Sequence, residues 1–389
     1  MTSVFLLIPD LSFGGAQRVA SDLSSYLPSD LNFKVITLSN INNIYECRNG
    51  TLLSLNVPTM VNYPKYLRFP RVIVGLIRYS ILLSSEKPDV SLSMLQPANI
   101  MNIFCCLITG TKSIMSIRGW PFPESFSLIE RAFNYITLKI GFYLSKMIIM
   151  NSDGVNEKLI SNYGLSKEKG VVIYNPKDIS QIHLMAMESV DEDFFSTSDP
   201  IIITVGRLAP LKGHWHLIRV FAAIHSSKPC KLVICGAGPL QSYLEKLARD
   251  LGVTEDICFL GWCSNPYKYV AKSTIFAFSS LSESQPNALI EALICGCPIV
   301  SADCDFGPRE ILENGKYGLL SKRLDGVRYG ATDSLTVAES DMMEKIMLLI
   351  ENKGMRMRYS LLSLERAKQF NKDIIIDKYY QEIMKVCEK

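Results

Sequence analysis

Negative charge is missing from one long stretch of this chain. No Asp or Glu stands between Glu46 and Glu86, while Arg48, Lys65, Arg68, Arg71 and Arg78 all fall there. Over the whole chain the signs nearly cancel, with 41 Lys and Arg against 38 Asp and Glu, a formal net charge of +3. So small an excess argues against nucleic acid as a partner, because a dedicated binder carries a much stronger basic footprint. Histidine is scarce, at four: His183, His214, His216 and His225. His214 and His216 stand two apart at an expected helix start and face different ways, which disfavours a shared metal. No Cys-x2-Cys pair occurs, and the eleven cysteines are odd in number. They read as reduced core thiols of a cytosolic protein, not as a disulfide framework. Long apolar runs are also lacking. Residues 133–150 come closest, but Lys139 and Lys146 interrupt them, and a span needs roughly 18–20 uninterrupted apolar residues. The opening MTSVFLLIPDLSFGGAQ has no basic leader and runs straight into an apolar strand, so no signal peptide is expected. A protein that is soluble, or lies on a membrane, is the expectation.

What is present points to two α/β domains. The chain has 389 residues, 48% of them apolar and 20% charged, enough for two sizeable cores. Apolar strand candidates Val4–Ile8, Phe33–Leu38, Leu52–Leu55, Val90–Leu92, Ser113–Ile117, Met147–Met150 and Val171–Tyr174 are interleaved with segments of helical period. A polar stretch follows, with Asp191-Glu192-Asp193 and Ser196 to Pro200. The rhythm then resumes at Ile201–Val205, Lys231–Cys235, Ile257–Leu260 and Thr274–Phe278. Such alternation predicts two Rossmann-like, doubly wound parallel sheets, over residues 1–178 and 200–370, with a linker at 179–199 and a final helix in 371–389.

The densest chemistry lies in 279–310, SSLSESQPNALIEALICGCPIVSADCDFGPRE. An apolar strand leads into a polar loop holding Glu283. Pro286 suits a first helical position, since its missing N–H would be unpaired there. The helix is expected over Asn287–Ile294, ended by Gly296 and Pro298, with a strand closing at Val300. The amides of Asn287, Ala288 and Leu289 at the helix start form a site for phosphate, and the carboxylates of Glu283 and Glu291 are acceptors for hydroxyls. Two glutamates alone would read as solvated surface charges. Beyond strand 201–205 stand Arg207 and Lys212, a bidentate fork and a point charge for phosphate oxygens. Gly14-Gly15 after the first strand allows close backbone approach to a ligand. Gly236-x-Gly238 fails as a dinucleotide fingerprint because position 241 is Gln241. No Asp-x-Asp triplet sits in a loop suited to a metal; Asp303-x-Asp305 has the letters but follows the helix, and reads as loop chemistry.

With Ser280, Glu283, Pro286-Asn287, Glu291-Ala292, Gly296-x-Pro298 and Gly307-Pro308-Arg309-Glu310 in this order, the chain resembles glycosyltransferase family 4. The resemblance implies a GT-B fold and a retaining enzyme that moves a hexose or N-acetylhexosamine from a nucleotide-sugar, by default a UDP-sugar. It implies a lipid-linked or oligosaccharide acceptor of surface-polysaccharide assembly, with no cofactor and no metal. By the same resemblance Arg207 and Lys212 hold the donor diphosphate, Glu283 the donor-sugar hydroxyls and Glu291 the ribose, while Gly261 and Trp262 meet the nucleobase. Gly14 and Gly15 fall in the acceptor domain, and the final helix returns to that domain. Many members place a sugar-contacting histidine after the strand near 113–117; here Arg118 stands in that neighbourhood. The competing readings are an epimerase or phosphorylase on the same fold, and a non-catalytic nucleotide binder, which would not need the whole constellation. Residues 62–82, basic and aromatic without an acid, fit an anionic membrane surface and hence a cytoplasmic protein peripheral on the inner face of the cell membrane.

Overall fold

The computed structural model describes residues 1–12, 14–39, 44–57, 68–122 and 127–388, without the side chains of 68–71. The chain divides into two compact units, Met1–Pro176 with Lys372–Lys389, and Lys177–Asn371.

The first unit is built on β1 (Thr2–Ile8), β2 (Leu31–Thr37), β3 (Thr51–Ser54), β4 (Val90–Met94), β5 (Lys112–Ile117), β6 (Met147–Met150) and β7 (Gly170–Val172). They form one parallel sheet in the order β3-β2-β1-β4-β5-β6-β7. Strand alternation sends Val4, Leu6 and Ile8 into one apolar layer, and Phe5 and Leu7 into the other. Helix Lys372–Glu388 joins the first of these layers through Ile375, Ile376, Tyr379, Ile383 and Val386. Its apolar residues recur at helical spacing, so burying that stripe accounts for its place in this unit.

The second unit holds β8 (Ile201–Val205), β9 (Lys231–Cys235), β10 (Ile257–Gly261), β11 (Ile275–Phe278), β12 (Ser282–Glu283), β13 (Ile299–Ala302), β14 (Asp305–Phe306) and β15 (Leu319–Ser321). Six make a parallel sheet, β10-β9-β8-β11-β13-β15, and β12 pairs with β14. Chain order reverses between β8 and β11, the place where ligands collect in open α/β sheets.

One expected boundary moves. The segment 179–199 is not a bare linker: it carries helix Ile179–Ala186, capped by Asp178, whose Oδ1 accepts from the Gln181 amide at 3.0 Å. This helix packs on Tyr267–Lys272 and Asn287–Ile294, and the division between units falls at 176/177. The polar composition that suggested a linker is confined to residues after the helix. Helix Asn287–Ile294 has the expected bounds, and Pro286 stands just before it as the N-cap, with ψ at 108°. The pairing of Ser282-Glu283 with Asp305-Phe306 was also outside the sequence reading, because two-residue strands carry no periodicity.

Candidate functional site

The loop after β8 and the loop after β11 meet on either side of the reversal point. Lys212 ends a short 3-10 turn, Pro210–Lys212, and Gly213 follows at φ 57°. A Cβ there would lie 2.3 Å from the Ser279 carbonyl oxygen, so a glycine is required both for the left-handed turn and for the approach of the second loop. The loops are then stitched together. The Leu281 amide donates to the Leu211 carbonyl at 2.8 Å, and Ser279 Oγ donates to the Lys212 carbonyl at 3.0 Å. The outcome is an ion pair between Lys212 Nζ and Glu283 Oε1, with both side chains mostly buried. Lys212 Nζ also stands 5.5 Å from the ring centre of Phe278.

Two polar atoms beside this pair are buried without a hydrogen-bond partner, Ser280 Oγ and His214 Nδ1. Burial, and then the neighbouring Lys212 charge, push the His214 pKa down to about 3, so the imidazole is neutral at physiological pH. Buried polar atoms in native proteins are nearly always satisfied, and such a cluster is what a polar ligand would complete. Sequence reading dismissed His214 because it weighed histidines only as metal ligands.

The other expected residues are placed as follows. Arg207 is exposed in the same loop as Lys212. Gly236 fits against Gly206, whose carbonyl oxygen would be 2.0 Å from a Cβ, and its amide donates to Gly261 at 2.7 Å. Gly261 has φ 67°, and Trp262 beyond it is 65% exposed. At the mouth of helix Asn287–Ile294, the Leu289 amide donates to the Pro286 carbonyl at 3.2 Å, so it leaves the expected trio of phosphate donors. Glu291, one turn along, accepts from Lys177 Nζ at 2.6 Å. Lys177 was missed altogether, since it lies over a hundred residues away.

In the first unit, Gly14 caps helix Gly15–Tyr26, at the carboxyl end of β1 and hence beside the β1/β4 reversal. Arg118 is tied within its own unit, with Nη1 donating to Tyr379 Oη at 2.7 Å and Nη2 to Asn175 Oδ1. Its guanidinium braces the end of β5 against the C-terminal helix. Asp303 and Asp305 are engaged by Arg309 and Arg323, as loop chemistry predicts. Among the described residues, no three His, Cys, Asp or Glu gather as metal ligands, and no helix is long and apolar enough to cross a membrane. Of the basic segment, Lys65 lies outside the described residues, and the Arg78 guanidinium donates to the carbonyls of Leu55 and Asn56 at 2.7 and 3.1 Å.

Behind the Lys212 loop, helix His214–His225 is anchored by charge. Glu339 is fully buried and accepts from His216 Nδ1 at 2.8 Å and Arg219 Nε at 3.0 Å. It also closes a capping box with Thr336 at the start of helix Val337–Glu351.

Comparison with known proteins follows the same division. A family profile described as "Glycosyltransferase Family 4" matches residues 13–181, and one described as "Glycosyl transferases group 1" matches 188–325. The chain is 30% identical over 379 residues to the N-acetylgalactosamine-N,N'-diacetylbacillosaminyl-diphospho-undecaprenol 4-alpha-N-acetylgalactosaminyltransferase of Campylobacter jejuni, covering 96% of each chain. It is 23% identical to the amylovoran biosynthesis glycosyltransferase AmsD of Erwinia amylovora, over 97% of this chain and 99% of that one. Among solved structures, Anabaena HepE in complex with UDP superposes with a TM-score of 0.78 at 19% identity, covering 99% of this chain and 100% of HepE.

Proposed function

The chain belongs to glycosyltransferase family 4, with the GT-B fold, and from that premise we propose that it is a retaining, metal-independent transferase moving a hexose or N-acetylhexosamine from a UDP-sugar to a lipid-linked glycan in surface-polysaccharide assembly. The observation that carries the reading is the Lys212–Glu283 pair at the β8/β11 reversal, with Ser280 Oγ and His214 Nδ1 unsatisfied beside it. A donor would divide that pair. Its diphosphate takes Lys212, together with Arg207 and the amides of Asn287 and Ala288, and its sugar hydroxyls take Glu283. Two cations and helix amides are sufficient to stabilise a departing diphosphate, whose oxygen then takes the acceptor proton. Glu291 receives the ribose, and Gly261 and Trp262 flank the base. The UDP seen in HepE and the undecaprenol-linked acceptor named for the Campylobacter relative support the choice of donor and acceptor class. Incubation with a panel of UDP- and GDP-sugars, read by product mass and by the anomeric configuration of the new bond, tests this. Epimerised donor without transfer, or inversion at the anomeric carbon, would overturn it.

Full activity is expected in excess EDTA, because the charge of the leaving group is met by Arg207 and Lys212. Loss of transfer in chelator, restored by manganese or magnesium, would show that those cations are insufficient.

The proposed workplace is the inner face of the cell membrane. In support, the helices Arg68–Glu86, Gln96–Thr109 and Leu128–Leu144 pack in sequence and turn Ile77, Ile81, Leu107, Ile108, Ile129 and Phe133 outward, each more than half exposed. Adjacent exposed apolar rows of this kind mark interaction surfaces, and the basic, acid-free composition of residues 62–82 suits anionic lipid. Co-sedimentation with phosphatidylglycerol vesicles is expected to fall at least tenfold in an Ile77→Ser, Ile108→Ser, Phe133→Ser variant, with the melting temperature unchanged. Equal partitioning of variant and wild type would remove this face from the reading.

A further inference from the structure

Lys177 is the first residue of the second unit, and its side chain is only 1% exposed. Its backbone is held at the place where the chain also leaves that unit: its amide donates to the Phe370 carbonyl at 2.9 Å, and it forms a parallel bridge with Asn371. From this point its Nζ reaches Glu291 Oε1 at 2.6 Å. A buried lysine is a poor device for stability. Desolvating two charges offsets most of their attraction, and apolar replacements of a buried pair are often neutral or stabilising. Its presence here calls for a role that an apolar residue could not supply.

We propose that Lys177 is a positioning residue for the donor. It holds the Glu291 carboxylate in one orientation and balances its charge, so that the carboxylate accepts the hydroxyls of the donor ribose. Glu291 sits on a helix side chain with three rotatable bonds, and one strong charge-assisted hydrogen bond selects among its rotamers. The geometry also links the donor carboxylate, through a single side chain, to the two backbone segments on which the chain enters and leaves the unit. This inference rests on the reading that Glu291 receives the ribose, and the test separates the two.

Affinities for UDP and GDP, each with its 2′,3′-dideoxy form, are measured by calorimetry for the wild type, Glu291→Gln, Lys177→Met, Lys177→Arg and the double variant Lys177→Met, Glu291→Gln. The nucleotide that the wild type binds more tightly carries the comparison. Lys177→Met is expected to weaken the ribonucleotide about tenfold and the dideoxy form less than twofold. The double variant should bind the ribonucleotide no more weakly than Glu291→Gln alone, since both changes disable the same contact. Lys177→Arg should restore part of the loss. Because Lys177→Met leaves Glu291 without its lysine and could unfold the unit, the double variant, which carries neither charge, keeps the test open. If Glu291→Gln discriminates between the two nucleotide forms and Lys177→Met does not, or if Lys177→Met weakens both forms equally, the positioning role is wrong and Lys177 is structural only. If Glu291→Gln itself fails to discriminate, the ribose reading falls, and the proposal with it.

Discussion

Lys212→Ala and Glu283→Gln are each expected to lower kcat by a hundredfold or more while the melting temperature stays within a few degrees of wild type. Removing one positioned donor from a developing oxyanion, as Lys212→Ala does at the leaving diphosphate, typically costs about 2.7–4 kcal/mol, and each 1.36 kcal/mol is tenfold in rate. Glu283→Gln instead loosens the hold on the donor-sugar hydroxyls, and a misplacement of about 1 Å can cost on the order of a hundredfold. The two variants should part company in binding. Lys212→Ala loses a cation that the diphosphate uses in ground and transition states, so the Kd for the nucleoside diphosphate rises as well. Glu283→Gln retains the shape and loses the charge, so nucleotide affinity should hold, or improve slightly, because Lys212 no longer has an anionic competitor. Steady-state kinetics on the identified donor, with separate nucleotide titrations, provide both numbers. Full activity of Lys212→Ala at saturating donor would take this cation out of the mechanism.

The second large effect concerns stability and lies behind the site. Glu339→Gln is expected to destabilise the second unit by about 3–5 kcal/mol, the usual cost of leaving a buried charge without its partner, here Arg219. At roughly 2–4 °C per kcal/mol for a unit of this size, the change is readily seen by calorimetry. The same carboxyl sets an acid limit. Burial alone would raise its pKa, but the hydrogen bonds from His216 and Arg219 outweigh it and hold the value down to about 2, from an ordinary 4.5. The folded value lies below the unfolded one, so the contribution is fully present above about pH 4.5 and is lost as pH falls from there towards 2. Wild type should therefore lose stability more steeply than Glu339→Gln below pH 4.5. Parallel stability curves for the two proteins across that interval would refute the assignment. Helix His214–His225 carries Lys212 and Gly213 at its head, so loosening this anchor should also raise the Km for donor at temperatures where the unit remains folded.

Much of this protein was legible one residue at a time. Strands such as Ile201–Val205, Lys231–Cys235 and Met147–Met150 declare themselves because both faces of a parallel sheet are buried, which writes an unbroken apolar run into the chain. Helix Asn287–Ile294 is bounded by a proline and a glycine whose backbone limits are local properties. The order of Glu283, Pro286, Glu291 and Gly296 is likewise a matter of spacing, and it was enough to recognise the family. The failures were of another kind. Helix Ile179–Ala186 was read as linker because it is short and its neighbours are polar; packing on two later helices decides it. The β12–β14 pair and the tie of Arg118 to Tyr379 and Asn175 depend on partners distant in the chain. Lys177 is the clearest case. In sequence it is one lysine in a polar turn, a residue normally left to solvent. Only the tertiary fold buries its side chain and brings it within 2.6 Å of a carboxylate more than a hundred residues away. Local periodicity and backbone preference are short-range and survive in the sequence; burial and charge pairing are long-range and exist only once the chain has closed.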